Sequence, residues 1–214
     1  MCNRSALSFK SINMESAFWN VRYGETEYAY GKEPNDFLKE HSDMIQGKVL
    51  CLAEGEGRNA VYLALLGADV TCIDYAEEGL KKTIQLAHEK DVDISTICAD
   101  LQLTVLEKEA WDSIVIIFGH FAPDVRKKVH RQLYGALRSG GKLIVEAYNK
   151  NQVRYKSGGP MNPELLYSKV DLEDDFKDFE FLEIRECERI VQEGEFHNGM
   201  AAVVQVIGKK TLGI

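Results

Sequence analysis

The segment VLCLAEGEGRNA, at residues 49–60, places a short glycine loop between an apolar run and the start of a helical pattern. Its GEGRNA part (55–60) matches G-x-G-x-x-G/A, in which glycines allow a tight turn and the close approach of a nucleotide. Asp74 ends the next apolar run, where an acid can bind a ribose diol. Glu54 and Glu56 are unexpected, because carboxylates oppose a pyrophosphate at a helix N-terminus.

The two glutamates favour an adenosine ligand that has no phosphates and a positively charged tail. S-adenosylmethionine fits this description, since it carries a sulfonium, an α-ammonium and a single carboxylate. The alternative interpretation is that both glutamates point into water, as most loop charges do. The competing ligand is NAD, because the same glycine pattern occurs in dinucleotide-binding folds.

A second acid of the predicted nucleotide site is Asp100, in the segment CADL that follows the third apolar run. At the carboxyl end of a neighbouring strand it can accept a hydrogen bond from the adenine amine, although Asp74 and Asp100 could each cap a helix instead. The other candidates for this site lie in or beside the same loops or on the N-terminal segment: Tyr23, Tyr30, Ala53, Gly55, Gly57, Asn59, Tyr75, Leu101 and Phe118.

Two histidines are candidates for proton transfer. His120 lies in IFGHFAP after the fourth apolar run, and His197 lies in GEFHNG near the C-terminus. Transfer of a methyl group is an in-line displacement, and a nitrogen or hydroxyl acceptor often needs a general base, whereas a thiolate does not. Imidazole suits that task, but a histidine in a turn can equally bond to local backbone groups.

Aromatic residues are concentrated in FWNVRYGETEYAYGKEPNDFL, at residues 18–38. They could form a lid that excludes water and presents ring faces to a sulfonium, with Tyr23 and Tyr30 as the predicted contacts. The alternative is ordinary packing against the edge of the sheet.

Alternating strand and helix patterns must position these residues. The helix predicted over 77–89 should bury Leu80, Ile84 and Ala87, and the helix that starts at Pro123 should end at the sequence SGG. Short helices between strands predict a parallel sheet with right-handed crossovers. The predicted strands are 48–53, 69–74, 93–98, 112–118 and 142–148, followed by two long strand patterns without a helix between them, which predict an antiparallel hairpin.

The composition narrows the class of protein. The chain has 214 residues and a formal net charge of -8, which opposes binding to nucleic acid. No apolar run is long enough to span a membrane, and five unpaired-looking cysteines fit a reducing, cytoplasmic environment. We expect one domain over 1–214, with an N-terminal lid segment (1–45) before an α/β core (46–214); oligomeric state leaves no signal in the sequence.

The acid after strand two, ADL after strand three, WDSIVIIF, GGKLIVEAY and the final hairpin together resemble a class I S-adenosylmethionine-dependent methyltransferase. The aromatic N-terminal segment, GEGRNAVYLA and GEFH resemble the branch that includes tellurite-resistance and thiopurine methyltransferases. The resemblance implies a Rossmann-like, doubly wound, seven-stranded sheet, mostly parallel, with an antiparallel C-terminal hairpin strand. It also implies S-adenosylhomocysteine as product, and His197 near a small-molecule acceptor such as a thiol or a metalloid oxyanion.

The sequence departs from that family at two positions. Cys51 stands where the family usually has an acid that anchors the glycine loop, and Ala53 stands where it usually has glycine. Two functional alternatives stay open beside methyl transfer, the first from the glycine pattern and the second from these departures. One is an NAD-dependent oxidoreductase, and the other is a regulator that binds S-adenosylmethionine without turnover.

Overall fold

The structure of the protein, a computed structural model, describes residues 16–211. The predicted lid segment is thus described from residue 16 onward, and residues 1–15 lie outside the described part. This segment contains a helix over 16–23 (α1) and a short helix, α2, over Asp36–Glu40. The side chain of Asn35 caps α2 by accepting a hydrogen bond from the amide of Leu38.

Seven strands form one sheet in the order β3-β2-β1-β4-β5-β7-β6. Only β7 runs against its neighbours, since it pairs antiparallel with both β5 and β6 while the other pairs are parallel. This confirms the predicted sheet and its terminal hairpin. The strands are β1 (Lys48–Leu52), β2 (Asp69–Asp74), β3 (Ser95–Cys98), β4 (Trp111–Ile117), β5 (Leu137–Tyr148), β6 (Glu180–Glu193) and β7 (His197–Lys209).

Helices cover both faces of the sheet: α3 (Arg58–Leu65), α4 (Glu77–Glu89), α5 (Pro123–Ala136) and α6 (Lys169–Asp175). Short 3₁₀ helices lie at Ser42–Met44, Lys150–Arg154 and Pro163–Leu165. Among the residues that the structure describes, no helix combines the length and apolar content needed to cross a membrane.

Two predicted helix features are wrong. Ile84 of α4 is 46% exposed, whereas Leu80 and Ala87 are buried as predicted. Helix α5 ends at Ala136, before the SGG sequence, because Leu137 already has an extended backbone and pairs with Trp111 of β4. Hydrogen bonding to the neighbouring strand thus ends the helix earlier than its glycines would.

Apolar residues alternate between the two faces of the central strands, so each face has its own core. Helices α5 and α6 cover Leu50, Leu52, Ile114, Ile116, Leu143 and Val145. Helices α2, α3 and α4 cover Val49, Cys51, Val115, Ile117 and Ile144. The crossovers therefore change sides between β1 and β4, and in open α/β sheets a ligand binds at the carboxyl ends of the strands beside such a switch point.

Candidate functional site

The glycine loop, residues 53–60, connects β1 to α3 at this switch point. Gly55 and Gly57 have φ angles of 65° and 86°, in the left-handed region that favours glycine. A Cβ on Gly55 would lie 2.7 Å from the hydroxyl of Tyr23, and one on Gly57 would lie 2.6 Å from Cγ2 of Thr83. The loop is therefore packed tightly between α1 and α4, and only glycine fits at either position.

Ala53 has a φ angle of 53° although it carries a side chain. A left-handed backbone conformation costs an L-residue about 1–2 kcal/mol. Replacing the residue by glycine removes this strain, but glycine also makes the unfolded chain more flexible, which offsets part of the gain in stability. We expect Ala53→Gly to raise the free energy of unfolding by about 0.5–1 kcal/mol, measured by urea denaturation. Ala64→Gly, inside α3, is the matched control and should lower it by about 1 kcal/mol. Equal losses in the two variants would contradict strain at Ala53.

Asp74 ends β2 and holds the glycine loop from the side. Its Oδ2 accepts a hydrogen bond from the amide of Gly55 at 2.9 Å, and its Oδ1 accepts one from Ala76 at 2.8 Å. The side chain is almost buried, and that burial raises its pKa. Each carboxylate oxygen retains acceptor capacity, so the predicted contact with a ribose diol is compatible with these bonds.

Asp100 follows β3, next to the end of β2, where Asp74 pairs with Cys98. Its Oδ1 accepts from the amide of Gln102 at 2.8 Å. Its Oδ2 is buried and has no hydrogen-bond partner among the described residues. Buried carboxylate oxygens are rarely left without a donor. This free acceptor fits the exocyclic amine of adenine. The buried Leu101 and Tyr75, the residue after β2, lie in the adjacent loops.

The alternative interpretation, that both loop glutamates point into water, is wrong. The leading interpretation, that both face a cationic ligand, is wrong for Glu56. Glu56 is buried, and its carboxylate accepts hydrogen bonds from Lys82 of α4 at 2.9 Å and from the amide of Tyr30 at 3.4 Å. Its charge is therefore matched within the protein and does not face a cationic ligand.

Glu54 has a different internal role. Its Oε1 accepts hydrogen bonds from the amides of Asn59 and Ala60, in the first turn of α3, at 3.0 and 2.9 Å. Burial raises its pKa to about 7, against the opposing effects of these amides and of Arg58. The amides that a pyrophosphate would use at the start of α3 already have a carboxylate partner.

An aromatic cluster, made of Tyr23, Tyr30, Phe118, Tyr148 and His197, lies beside the glycine loop. The ring centroids of Tyr30 and His197 are 4.4 Å apart, and those of His197 and Phe118 are 4.7 Å apart. Phe118 stacks on Tyr148 at 4.5 Å, and Tyr23 lies 6.4 Å from Tyr30. The structure thus joins residues from the N-terminal segment, β5, β7 and the end of β4.

The predicted histidines differ in what their rings can do. Nδ1 of His120 lies 2.8 Å from the carbonyl oxygen of Leu165, to which it must donate. Its Nε2 then accepts from the amide of Tyr148 at 3.5 Å, and burial lowers its pKa to about 4. Both ring nitrogens of His120 are engaged by main-chain groups.

His197 is 7% exposed, and its Nδ1 has no hydrogen-bond partner among residues 16–211. The nearest acidic atom is Oε2 of Glu193, at 3.6 Å, which is beyond hydrogen-bond length. Burial lowers the pKa of His197, while Glu193 opposes that shift. The imidazole is therefore neutral near pH 7, and it is free to accept a proton.

An ionic cluster of Arg58, Glu146, Arg189 and Glu193 lies behind the aromatic cluster. Arg189 donates to Glu146 at 2.6 and 2.9 Å and to Glu193 at 3.0 Å, and Arg58 donates to Glu193 at 2.6 Å. Asn35 donates to both glutamates. The two arginines thus balance the formal charge of the two buried glutamates, and Arg189 also lies 3.6 Å from the exposed carboxylate of Asp36.

Tyr148 and the ionic cluster are not among the residues predicted from the sequence. The position of Tyr148, at the end of the fifth predicted strand and at the ligand-binding edge, could have identified it. No sequence pattern identifies Arg189 and Glu193, because the charged residues of β6 are typical of an exposed edge strand. The described residues hold no group of three His, Cys, Asp or Glu side chains placed to bind a metal ion.

Several known methyltransferases are similar to this chain. Residues 49–141 match the family described as "Methyltransferase domain". The chain is 30% identical over 156 residues to the probable S-adenosyl-L-methionine-dependent methyltransferase TehB of Haemophilus influenzae, covering 68% of this chain and 53% of TehB. It is 33% identical over 111 residues to the uncharacterized methyltransferase YbaJ of Bacillus subtilis, covering 51% of this chain and 44% of YbaJ. The chain spans about half the length of these relatives.

Solved structures share the fold. The crystal structure of TehB from Haemophilus influenzae superposes with a TM-score of 0.63 at 23% identity, covering 82% of this chain and 62% of that one. A structure reported for the conversion of a disulfide bond into a thioacetal group during echinomycin biosynthesis superposes with a TM-score of 0.72 at 18% identity, covering 92% and 90%.

Proposed function

We propose that this chain, which belongs to the class I S-adenosylmethionine-dependent methyltransferases, transfers a methyl group to a small-molecule thiol. The observation that carries the choice of acceptor is the aromatic cluster around His197, the pKa of which burial lowers. Family membership supports the cofactor and the reaction class, and the aromatic cluster supports the thiol.

The residues at the switch point fit the cofactor of this family. Gly55 and Gly57 hold the loop in its tight left-handed turn, Asp74 offers acceptor capacity for the ribose diol, and Oδ2 of Asp100 offers a buried acceptor for the adenine amine. When bound, S-adenosylmethionine supplies a methyl group activated by a sulfonium leaving group. The protein's part is to orient the acceptor, exclude water and hold the proton that the acceptor loses.

Helix α1 would provide the lid. The hydroxyl of Ser16 donates to the carbonyl of Tyr75, and the side chain of Asn20 accepts from the amide of Glu78 at the start of α4. These contacts place the N-terminal segment over the acid that ends β2. We therefore propose that the segment and the core act as one domain, with Tyr23 and Tyr30 closing the site over the cofactor.

A thiol suits the aromatic cluster better than a metalloid oxyanion does. Sulfur makes favourable contacts with aromatic rings, and the cluster consists of five of them in mutual contact. An oxyanion needs an unmatched cation or several converging donors. Arg58 and Arg189, next to the aromatic cluster, are already bound to carboxylates. A third cation, Arg22, donates to the hydroxyl of Tyr30 and stacks on the Phe196 ring, so among the described residues it is the one arginine there through which an oxyanion could compete.

His197 would accept the thiol proton. Its neutral imidazole has acceptor capacity at pH 7, and the imidazolium that forms would face Glu193 at 3.6 Å, which stabilises the charge. His120 cannot perform this task without breaking two main-chain contacts. The NAD alternative is disfavoured because Glu54 holds the α3 amides that a pyrophosphate would require.

The test is turnover with a panel of acceptors. Purified protein and S-adenosylmethionine are incubated with aromatic and alkyl thiols, tellurite, selenite and a catechol, and S-adenosylhomocysteine is quantified by mass spectrometry. We expect S-methylated products from thiols, and thermal stabilisation by S-adenosylhomocysteine but not by NAD.

Each other outcome contradicts a defined part of the proposal. Turnover of an oxyanion without any thiol would overturn the acceptor class. Stabilisation by NAD alone would overturn the cofactor. Stabilisation by S-adenosylhomocysteine without turnover of any acceptor would identify a regulator and overturn catalysis.

A further inference from the structure

The carboxylate that anchors the glycine loop comes from Glu54 and not from position 51. Cys51, on β1, is fully buried and packs in the same apolar core as Ala60 of α3. A thiol is a weak hydrogen-bond acceptor, so it cannot replace the acid expected at that position. The carboxylate that bonds to the first turn of α3 comes instead from Glu54, three residues later.

The start of α3 needs such a partner. The first amides of a helix have no acceptor within the helix, and a side chain at the N-cap usually supplies one. Here the N-cap residue is Gly57, which has no side chain and makes no capping bond. Glu54 reaches across the loop and accepts from Asn59 and Ala60 with a single oxygen. This ties the end of β1 to the start of α3 and fixes the path between them.

We propose that Glu54 is the positioning residue of the glycine loop, in place of an acid at position 51, and that its carboxylate holds the loop in the shape that binds S-adenosylmethionine. The inference rests on the proposed function for the identity of the cofactor only. It does not depend on the acceptor.

The surroundings of Glu54 add a second consequence. The charged or titratable groups that act on it are Arg58 of α3 and Asp74 of β2, and the thiols of Cys51 and Cys72 lie close enough to feel its charge. Burial and Asp74 raise the pKa of Glu54 to about 7. A cofactor with a positively charged tail favours the ionised form, so its binding should tighten as the pH rises through that value.

Three variants separate charge from geometry. Glu54→Gln keeps an acceptor oxygen but removes the charge, Glu54→Ala removes both, and Cys51→Asp supplies a carboxylate from β1. Binding of S-adenosylhomocysteine is measured by calorimetry, and folding is checked by circular dichroism and the unfolding midpoint. We expect Glu54→Ala to weaken binding about 10- to 100-fold, in line with the loss of two charge-assisted hydrogen bonds.

The effect of Cys51→Asp should change sign with the background. In Glu54→Ala it should restore binding to within about 3-fold of wild type, because a carboxylate again faces the α3 amides. In the wild-type protein it should weaken binding, because two carboxylates would then compete for the same donors. The same direction of change in both backgrounds would overturn the inference, as would wild-type affinity in Glu54→Ala.

The pH dependence of binding tests the inference even if Glu54→Ala fails to fold. With a pKa near 7 for Glu54, wild-type affinity for S-adenosylmethionine should rise about 10-fold from pH 6 to pH 8 relative to Glu54→Gln. Parallel profiles would overturn the role of the charge. Failure of the wild-type protein to bind either compound would refute the proposed function, whereas wild-type binding with unaffected variants would refute this inference alone.

Discussion

Replacing His197 by glutamine should lower the rate of thiol methylation about 30-fold at pH 7, and the loss should shrink as the pH rises. A free thiol has a pKa of about 8.5, so only about 3% is thiolate at pH 7. His197 lies between the rings of Tyr30 and Phe118, and in the proposed mechanism its neutral imidazole takes the proton from the remaining thiol. Above the acceptor's pKa the base is no longer needed.

The measurement is kcat/KM from pH 6 to pH 10, with one thiol of known pKa. His88→Gln, on the exposed face of α4, is the control and should retain the wild-type profile. Because burial lowers the pKa of His197, the wild-type rate should not fall sharply until the pH drops below the usual histidine range. A loss in His197→Gln that is the same at every pH would show that the residue does not act as a base.

Glu146→Ala should lower the free energy of unfolding by about 3–5 kcal/mol, the range found when one partner of a buried ion pair is removed. Glu146 is fully buried and accepts hydrogen bonds from Arg189, Gln205 and Asn35. Without it the Arg189 guanidinium is left with an unbalanced positive charge. Urea denaturation provides the measurement, and Glu173→Ala, which breaks an exposed pair on α6, should cost under about 1 kcal/mol.

A double variant tests the cause of that loss. If the cost of Glu146→Ala comes from the uncompensated guanidinium, then adding Arg189→Met should recover part of the stability, since methionine fills similar space without charge. A further loss of the same size would instead assign the cost to packing. Equal stability of Glu146→Ala and Glu173→Ala would refute the role of the ionic cluster.

The centre of the sheet could be predicted because strands β1, β2, β4 and β5 are buried on both faces and their sequences are largely continuous apolar runs. The glycine loop, Asp74 and Asp100 follow directly from the ends of those strands, since parallel strands bring their carboxyl ends to one edge. The hairpin was visible because no helix pattern separates its two strands. These features depend on local periodicity and on the position of a residue along its strand.

Other features depend on partners that are distant in sequence. Glu56 can be buried because Lys82 forms an ion pair with it, and no pattern in the loop sequence predicts that pair. Glu193 reads as an edge-strand charge, yet Arg58 and Asn35 reach it from the other end of the chain. Ile84 continues the apolar stripe of α4 but extends beyond the surface that the sheet covers. Periodicity cannot distinguish such cases, because burial is decided by which neighbour is present.

The contacts of Asn35 also bear on the order in which the molecule assembles. Its bonds to Glu146 and Glu193 close chain separations of 111 and 158 residues, the second of which reaches into the terminal hairpin. Long closures are entropically costly and form late. The β-α units around the glycine loop can thus fold from neighbouring segments, whereas the ionic cluster is completed only when Asn35 meets the terminal hairpin.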